Sequence, residues 1–231
     1  MNQVELDMML GMVSILNEAS QFMTEEQYNV RLEDLKQLEE EMGYMLLNSP
    51  NCKVDLKSIV EIVPTYDFEF KNRYSLEDII SISNKDKLIA YIDVDGDDIS
   101  VAYINGVISR IYIKNVLLNV KAISNIFYKI NSEKSFCIDG KVVSTDKMMV
   151  FVDNFYKGTN DSFKDNLKEI KELGFKVVPF WSASNLNAKN FQDVVDFVFE
   201  YAENEELPCS GISFRYDDIE YGDDVVYKIN K

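Results

Sequence analysis

Histidine is absent from the 231-residue sequence, and that absence removes more chemistry than any other feature of its composition. Ser-His-Asp and Cys-His catalysis, histidine-ligated zinc and acid–base work by an imidazole are all excluded. Cysteine is scarce: Cys52, Cys137 and Cys209 form an odd, widely spaced set with no C-x-x-C. That pattern argues against a disulfide framework or a zinc ribbon and for reduced, packed thiols. Basic residues are in deficit, 24 Lys and Arg against 40 Asp and Glu, for a net charge of −16. Such a surface repels phosphate backbones, so tight unassisted DNA binding is not expected. Long apolar runs are missing as well; none approaches the ~20 residues of a membrane span, and no membrane association is expected. Residues Met1 to Asp7 carry acid where a secretory signal needs basic residues followed by an apolar stretch, so a cytoplasmic location is expected.

What is present is the composition of a globular protein, 46% hydrophobic and 28% charged, at a length that suits one or two domains. Residues 5–18 are helical in composition. A second helix is predicted to start at Thr24, whose hydroxyl with Gln27 makes a capping box, and Tyr28, Leu32, Leu35 and Leu38 give it one apolar face. These form a predicted helical hairpin, ended by Ser49-Pro50-Asn51. Strands follow at Leu88–Ile92, Ile99–Ile104 and Val107–Ile113, the last two joined by Asn105-Gly106, the strongest short hairpin signal. Val116, Leu117, Val120, Ile123, Phe127 and Ile130 recur at helical spacing and predict a helix. Short strands near 135–138, 141–144 and 148–153 come next, then a helix (161–173), a strand (Phe175–Pro179), a helix (190–203) and strands at 211–216 and 224–229. The predicted fold class is α+β, with a helical unit at 1–55 and an α+β core at 56–231.

The densest acidic cluster, Asp93-Val94-Asp95-Gly96-Asp97-Asp98, follows an apolar strand and admits three chemistries. A calcium loop of the EF-hand kind needs glycine at its sixth position and a carboxylate at its twelfth, where this chain has Asp98 and Ile104. A magnesium-dependent phosphatase of the haloacid dehalogenase type would use Asp93 as nucleophile and Asp95 as acid, with Gly222-Asp223-Asp224 as a late metal ligand. That family has threonine where Asp97 stands.

The third reading rests on a longer match. The run from Asp93 to Ile108 resembles motif I of the NAD-dependent DNA ligases, Lys-x-Asp-Gly followed by an alternating strand ending Tyr-x-Asn-Gly-Val. Asp95, Gly96, Ser100, Tyr103, Asn105, Gly106 and Val107 are shared without a gap. Upstream, Glu25-Glu26-Gln27-Tyr28-Asn29 with Leu32, Leu35, Leu38 and Ser49-Pro50 resembles the helical domain that recognises the nicotinamide mononucleotide (NMN) half of NAD. Downstream, Ile113-Lys114, Asn119 to Ile123, Ile138-Asp139-Gly140-Lys141-Val142, Leu207 to Arg215 and Val226-Tyr227-Lys228-Ile229 resemble later segments of the family in order. The resemblance implies a nucleotidyltransferase core of antiparallel sheets with flanking helices. It implies a nucleotide subsite at Asp95, Gly96, Lys114, Gly140, Lys141, Arg215 and Lys228, and an NMN-like subsite at Tyr28 and Asn29, with NAD, NMN or AMP as ligands.

The departures from the family pattern bear on function. Asp93 stands where the family has the lysine that attacks the adenylyl phosphorus, so no catalytic residue is expected and no metal site either. A carboxylate there repels phosphates: two like charges 4 Å apart cost about 4 kcal/mol at an effective dielectric of about 20. Tyr91 replaces the glutamate used near the adenine, Asp139 and Lys141 reverse the Arg/Glu pair of a later motif, and Ser210 replaces an aspartate. Gly96, Gly106, Gly140 and Gly211 have a backbone explanation as well as a functional one. From the length, the OB-fold, zinc, helix-hairpin-helix and BRCT modules with which full ligases grip a nick are expected to be missing. The expectation is a pseudo-nucleotidyltransferase, of phage type and tied to DNA replication or repair, that binds an adenine nucleotide, an NAD fragment or a protein partner. The alternatives are an acidic inhibitor of a basic protein, an accessory subunit of a split ligase, and the phosphatase. Two further features have a bland and a sharp reading: the acid-aromatic run Tyr216 to Asp224 is a solvated turn or a nucleic-acid mimic, and Phe180-Trp181 is strand-end packing or an exposed anchor.

Overall fold

The computed structural model describes residues 3–64, 70–85, 87–114, 118–144, 147–156, 162–221 and 225–231. Helix α1 (Gln3–Glu18) buries Met9, Val13 and Leu16, which the helical period puts on one face. A 3-10 turn (Ser20–Phe22) leads to α2 (Glu25–Met42). The capping box forms as the sequence predicts: Gln27 N–H donates to Thr24 Oγ1 at 3.2 Å and Thr24 N–H to Gln27 Oε1 at 3.0 Å. Gly43, at φ 72°, ends α2 in the left-handed conformation.

The chain then builds two sheets. Strands β1 (Met45–Leu46), β2 (Val60–Ile62), β4 (Asp97–Ile104), β5 (Val107–Ile113), β6 (Phe127–Lys129), β7 (Phe136–Ser144) and β8 (Met148–Tyr156) form the larger, in the order β1-β6-β5-β4-β7-β8, with β2 added parallel to β5. Strands β3 (Leu88–Val94), β9 (Phe180–Ser182), β10 (Cys209–Tyr216) and β11 (Tyr227–Asn230) form a four-stranded antiparallel sheet, β11-β10-β3-β9. Helices α3 (Leu76–Ser83), α4 (Phe163–Glu172) and α5 (Ala188–Asn204) complete the α+β fold. The β4–β5 hairpin turns at Asn105 and Gly106, both at positive φ (50° and 74°), the backbone an Asn-Gly turn predicts. Asp95-Gly96 carries the chain from the small sheet to the large one. Buried residues of α1, both sheets, α4 and α5 join in one hydrophobic cluster.

Three expectations are corrected. The helix predicted from Val116 does not form over its described part, which is a 3-10 turn (Val120–Ala122) and then β6; Val116 and Leu117 lie outside the described residues. Val120, Ile123, Phe127 and Ile130 are buried as their spacing promised. Asn125 pulls the backbone towards β8 instead: its Nδ2 donates to Val150 O at 2.8 Å and its Oδ1 accepts from Val150 N–H at 2.7 Å. The two short strands at 135–138 and 141–144 are one, because Gly140 continues β7 where a Cβ would run into the Phe151 carbonyl. Phe175–Pro179 makes only a single bridge, Val177 to Val152, before β9 begins. Helix α3 was not foreseen, although Ser75 and Asp78 form a capping box at its start.

Replacing Asn125 by Ala should lower the unfolding free energy by about 2–4 kcal/mol, since it strands a buried donor and acceptor of Val150 together. Urea denaturation with an unchanged m value checks it; a loss under about 1 kcal/mol contradicts it.

Candidate functional site

Directly opposed residues of an antiparallel pair share a face. In the small sheet Asp93 opposes Gly211, Tyr91 opposes Ser213, Ile89 opposes Arg215, and Ser213 opposes Lys228. Asp93, Tyr91, Arg215 and Lys228 therefore stand on one face. In the large sheet Asp98 opposes Lys141 and Ser100 opposes Asp139. Most of the residues that the sequence marks as a nucleotide subsite thus gather where the Asp95-Gly96 crossing joins the sheets.

Their lysines are already engaged. Lys228 Nζ forms an ion pair with the Asp93 carboxylate, which also accepts from Ser210 Oγ at 3.2 Å. Lys114 and Lys141 both bind Asp98, one on each carboxylate oxygen. Burial alone would raise the Asp98 pKa, but the hydrogen bonds from the two lysines outweigh it and hold this carboxyl below its ordinary value. Burial likewise works against charged Lys141, and Asp98 overcomes it, so Lys141 titrates above the usual lysine range. A recess of about 370 Å³ adjoins the cluster, lined by Asp98, Ser100, Tyr112, Lys114, Asp139 and Asp153 among others.

Asp153, on β8, is half-buried in the same recess. Burial pushes its pKa from 3.8 up to about 6; Lys141 opposes the shift, and repulsion from Asp139, Asp98 and Asp93 adds to it. Sequence reasoning missed Asp153, which stands at the end of the apolar run Met148–Val152 with nothing nearby in sequence to mark it.

Arg215 is only 2% exposed, and its guanidinium lies over the Phe163 ring at 3.9 Å. Phe163, the first residue of α4, also packs at 5.8 Å from Tyr91, whose hydroxyl pKa is raised by burial. An aromatic ring of the chain itself thus fills the space beside Tyr91 and Arg215. Sequence gave no sign of it, because only the tertiary fold brings residue 163 against β3 and β10.

Gly96, Gly140 and Gly211 are required by the sheets, since a Cβ at each would strike the carbonyl oxygens of Val142, Phe151 and Ile229. Asp95 donates its backbone N–H to Pro208 O at 2.8 Å and leaves its carboxylate exposed. On α2, Tyr28 is half-buried and Asn29 exposed; among the described residues no hydrogen bond or ion pair ties either to the Asp93 and Asp98 clusters. No group of three or more Cys, Asp or Glu among the described residues could hold a metal ion. For the phosphatase reading, Asp93 is engaged by Lys228 while Asp95 faces solvent, and Gly222 to Asp224 lie outside the described residues. In the acid-aromatic run, Asp217 is buried and caps α4, accepting from Ser162 Oγ at 2.8 Å and Lys164 N–H at 2.9 Å. No helix among the described residues is long and apolar enough to cross a membrane.

No protein-family model matches the chain, and no curated protein sequence matches it. Among solved structures it is similar to Naegleria gruberi RNA ligase. A mutant with ATP and Mn aligns at 11% identity and TM-score 0.45 over 72% of this chain and 56% of the ligase. An apo mutant aligns at 11% identity and TM-score 0.45 over 82% and 57%, and a mutant with AMP and Mn at 12% and 0.43 over 82% and 58%. The chain spans less than two thirds of that ligase.

The raised Asp153 pKa has a signed consequence. The native state holds its proton longer than the unfolded chain, so the contribution of Asp153 to stability is fully present below pH ~4 and is lost as pH rises through about 6. The stability gain of Asp153→Asn over the natural chain should therefore grow by about 2 kcal/mol between pH 4 and pH 7.5, allowing for water that reaches the recess. Denaturation curves at the two pH values check this, and a pH-independent difference contradicts it.

Proposed function

We propose that this chain is a nucleotidyltransferase-like protein of the NAD-dependent DNA ligase kind that has lost adenylyl transfer and acts by binding a protein partner. The ion pair between Asp93 and Lys228 carries the reading. The sequence resemblance puts the lysine nucleophile at residue 93; here an acid stands there and holds the neighbouring lysine. A carboxylate in that place forms no phosphoramidate, and it removes a cation that a polyphosphate would need.

Two further arrangements support the same reading. Asp98 holds Lys114 and Lys141, so the three lysines of the marked subsite all face the chain's own carboxylates. Phe163 occupies the space beside Tyr91, the residue that replaces the family's adenine-side glutamate. A nucleotide would have to displace a buried ring and break three ion pairs. The NMN-like role of Tyr28 and Asn29, and an accessory role beside a second ligase chain, belong to this proposal as further expectations.

Incubation with NAD or with ATP and magnesium, followed by intact-protein mass spectrometry, tests the loss of chemistry. The expected mass is unchanged, and Asp93→Lys restores no adduct because Phe163 still fills its place. A stoichiometric gain of one AMP by the natural chain overturns the proposal.

A further inference from the structure

The outer face of α5 carries charges placed against its own stability. Asp193, Asp196, Glu200 and Glu203 are all exposed on it, and Glu205 and Glu206 follow directly. The helix has no acid in its first turn and no base in its last, while its one base, Lys189, lies in the first turn. That is the reverse of what the helix dipole favours. Asp196 and Glu200 are also like charges four residues apart, and Asp193 and Asp196 three apart, spacings at which they repel. Asp196 accepts from Gln192 Nε2 at 2.7 Å, and among the described residues no lysine or arginine pairs with these acids. Folding alone gives no reason for this arrangement.

The same face exposes an aromatic cluster. Phe197 is 51% exposed between Asp193 and Glu200, one helical turn to either side. Trp181, on the edge strand β9, meets Phe197 edge-on at 5.7 Å between ring centroids and Tyr201 edge-on at 5.3 Å. Beside it runs a groove of about 660 Å³ whose apolar lining includes Leu6, Leu10, Phe180, Trp181 and Leu207. Within that groove Asp7 and Glu205 balance Lys171 and Lys176, so the excess negative charge lies on α5.

We propose that this face docks a lysine- and arginine-rich segment of a partner protein. Its cations sit on Trp181, Tyr201 and Phe197 between the carboxylates, and its apolar side chains enter the groove. Aromatic faces attract cations, and the surrounding acids both raise that attraction and steer a basic partner to this side. Charge complementarity fixes the occupant: an acidic or neutral segment would leave the α5 carboxylates repelling one another. This deepens the binding role proposed above and rests on it, but Trp181 and α5 lie on the face of the small sheet opposite Asp93, since Trp181 opposes Ala90 and α5 packs on Phe214. An AMP adduct overturns the loss of adenylyl transfer, whereas the titration that follows overturns the docking surface alone.

Trp181 is the sole tryptophan, so its emission reports on this cluster alone. The full chain is titrated with a tryptophan-free peptide of arginine, lysine and leucine, and with a glutamate-substituted peptide of equal length. The expected result is a saturable change in Trp181 emission with the basic peptide only. Binding should weaken at least tenfold in the Glu200→Lys, Glu203→Lys double variant and in Phe197→Ala. It should also weaken as salt rises from about 50 to about 300 mM. Glu25→Lys with Glu26→Lys on exposed α2 makes the same charge change elsewhere and should leave affinity within twofold. No emission change, or equal weakening in the two double variants, overturns the proposal.

Discussion

The cleft depends on how charges taken partly out of water are paired. Asp93 and Lys228 would each be costly alone where the small sheet meets the large one, and together they satisfy each other. The register of β3 with β10 and of β10 with β11 sets them on one face. At the start of β4 Asp98 does the same for Lys114 and Lys141. Around this centre stand four carboxylates, those of Asp93, Asp98, Asp139 and Asp153, and three lysines. Asp153 has no ion pair among them, and burial, with repulsion from the other three carboxylates, raises its pKa.

Sequence made local structure legible wherever the signal was local. The Thr24 and Gln27 capping box, the Asn105-Gly106 turn and the strands at 88–113 all depend on residues a few positions apart, and they form as expected. The failures lie where tertiary partners decide. Residues 118–130 have helical spacing, but Asn125 bonds to Val150 and draws the segment to the sheet. Residues 175–179 are apolar enough for a strand but make one bridge only. Lys114, Lys141 and Lys228 were singled out only through the family resemblance. Their partners were not, since register, rather than spacing, puts Asp98 opposite Lys141.

Phe163 and Arg215 show the same limit from the other side. A basic residue on a late strand reads as a phosphate contact, yet here it is buried beneath an aromatic ring from α4. Arg215 packs on Phe163 and Asp93 pairs with Lys228, so these groups are engaged by the chain's own residues. Surplus negative charge remains at Asp153 inside and on the exposed acids of α5 outside.

Calorimetric titration of the natural chain with AMP, ATP, NAD and NMN tests the filled cleft most directly. No saturable heat is expected at millimolar nucleotide, because Phe163 and the three ion pairs would all have to yield. A stoichiometric isotherm that is lost in Lys228→Ala would contradict it and return the cleft to nucleotide binding.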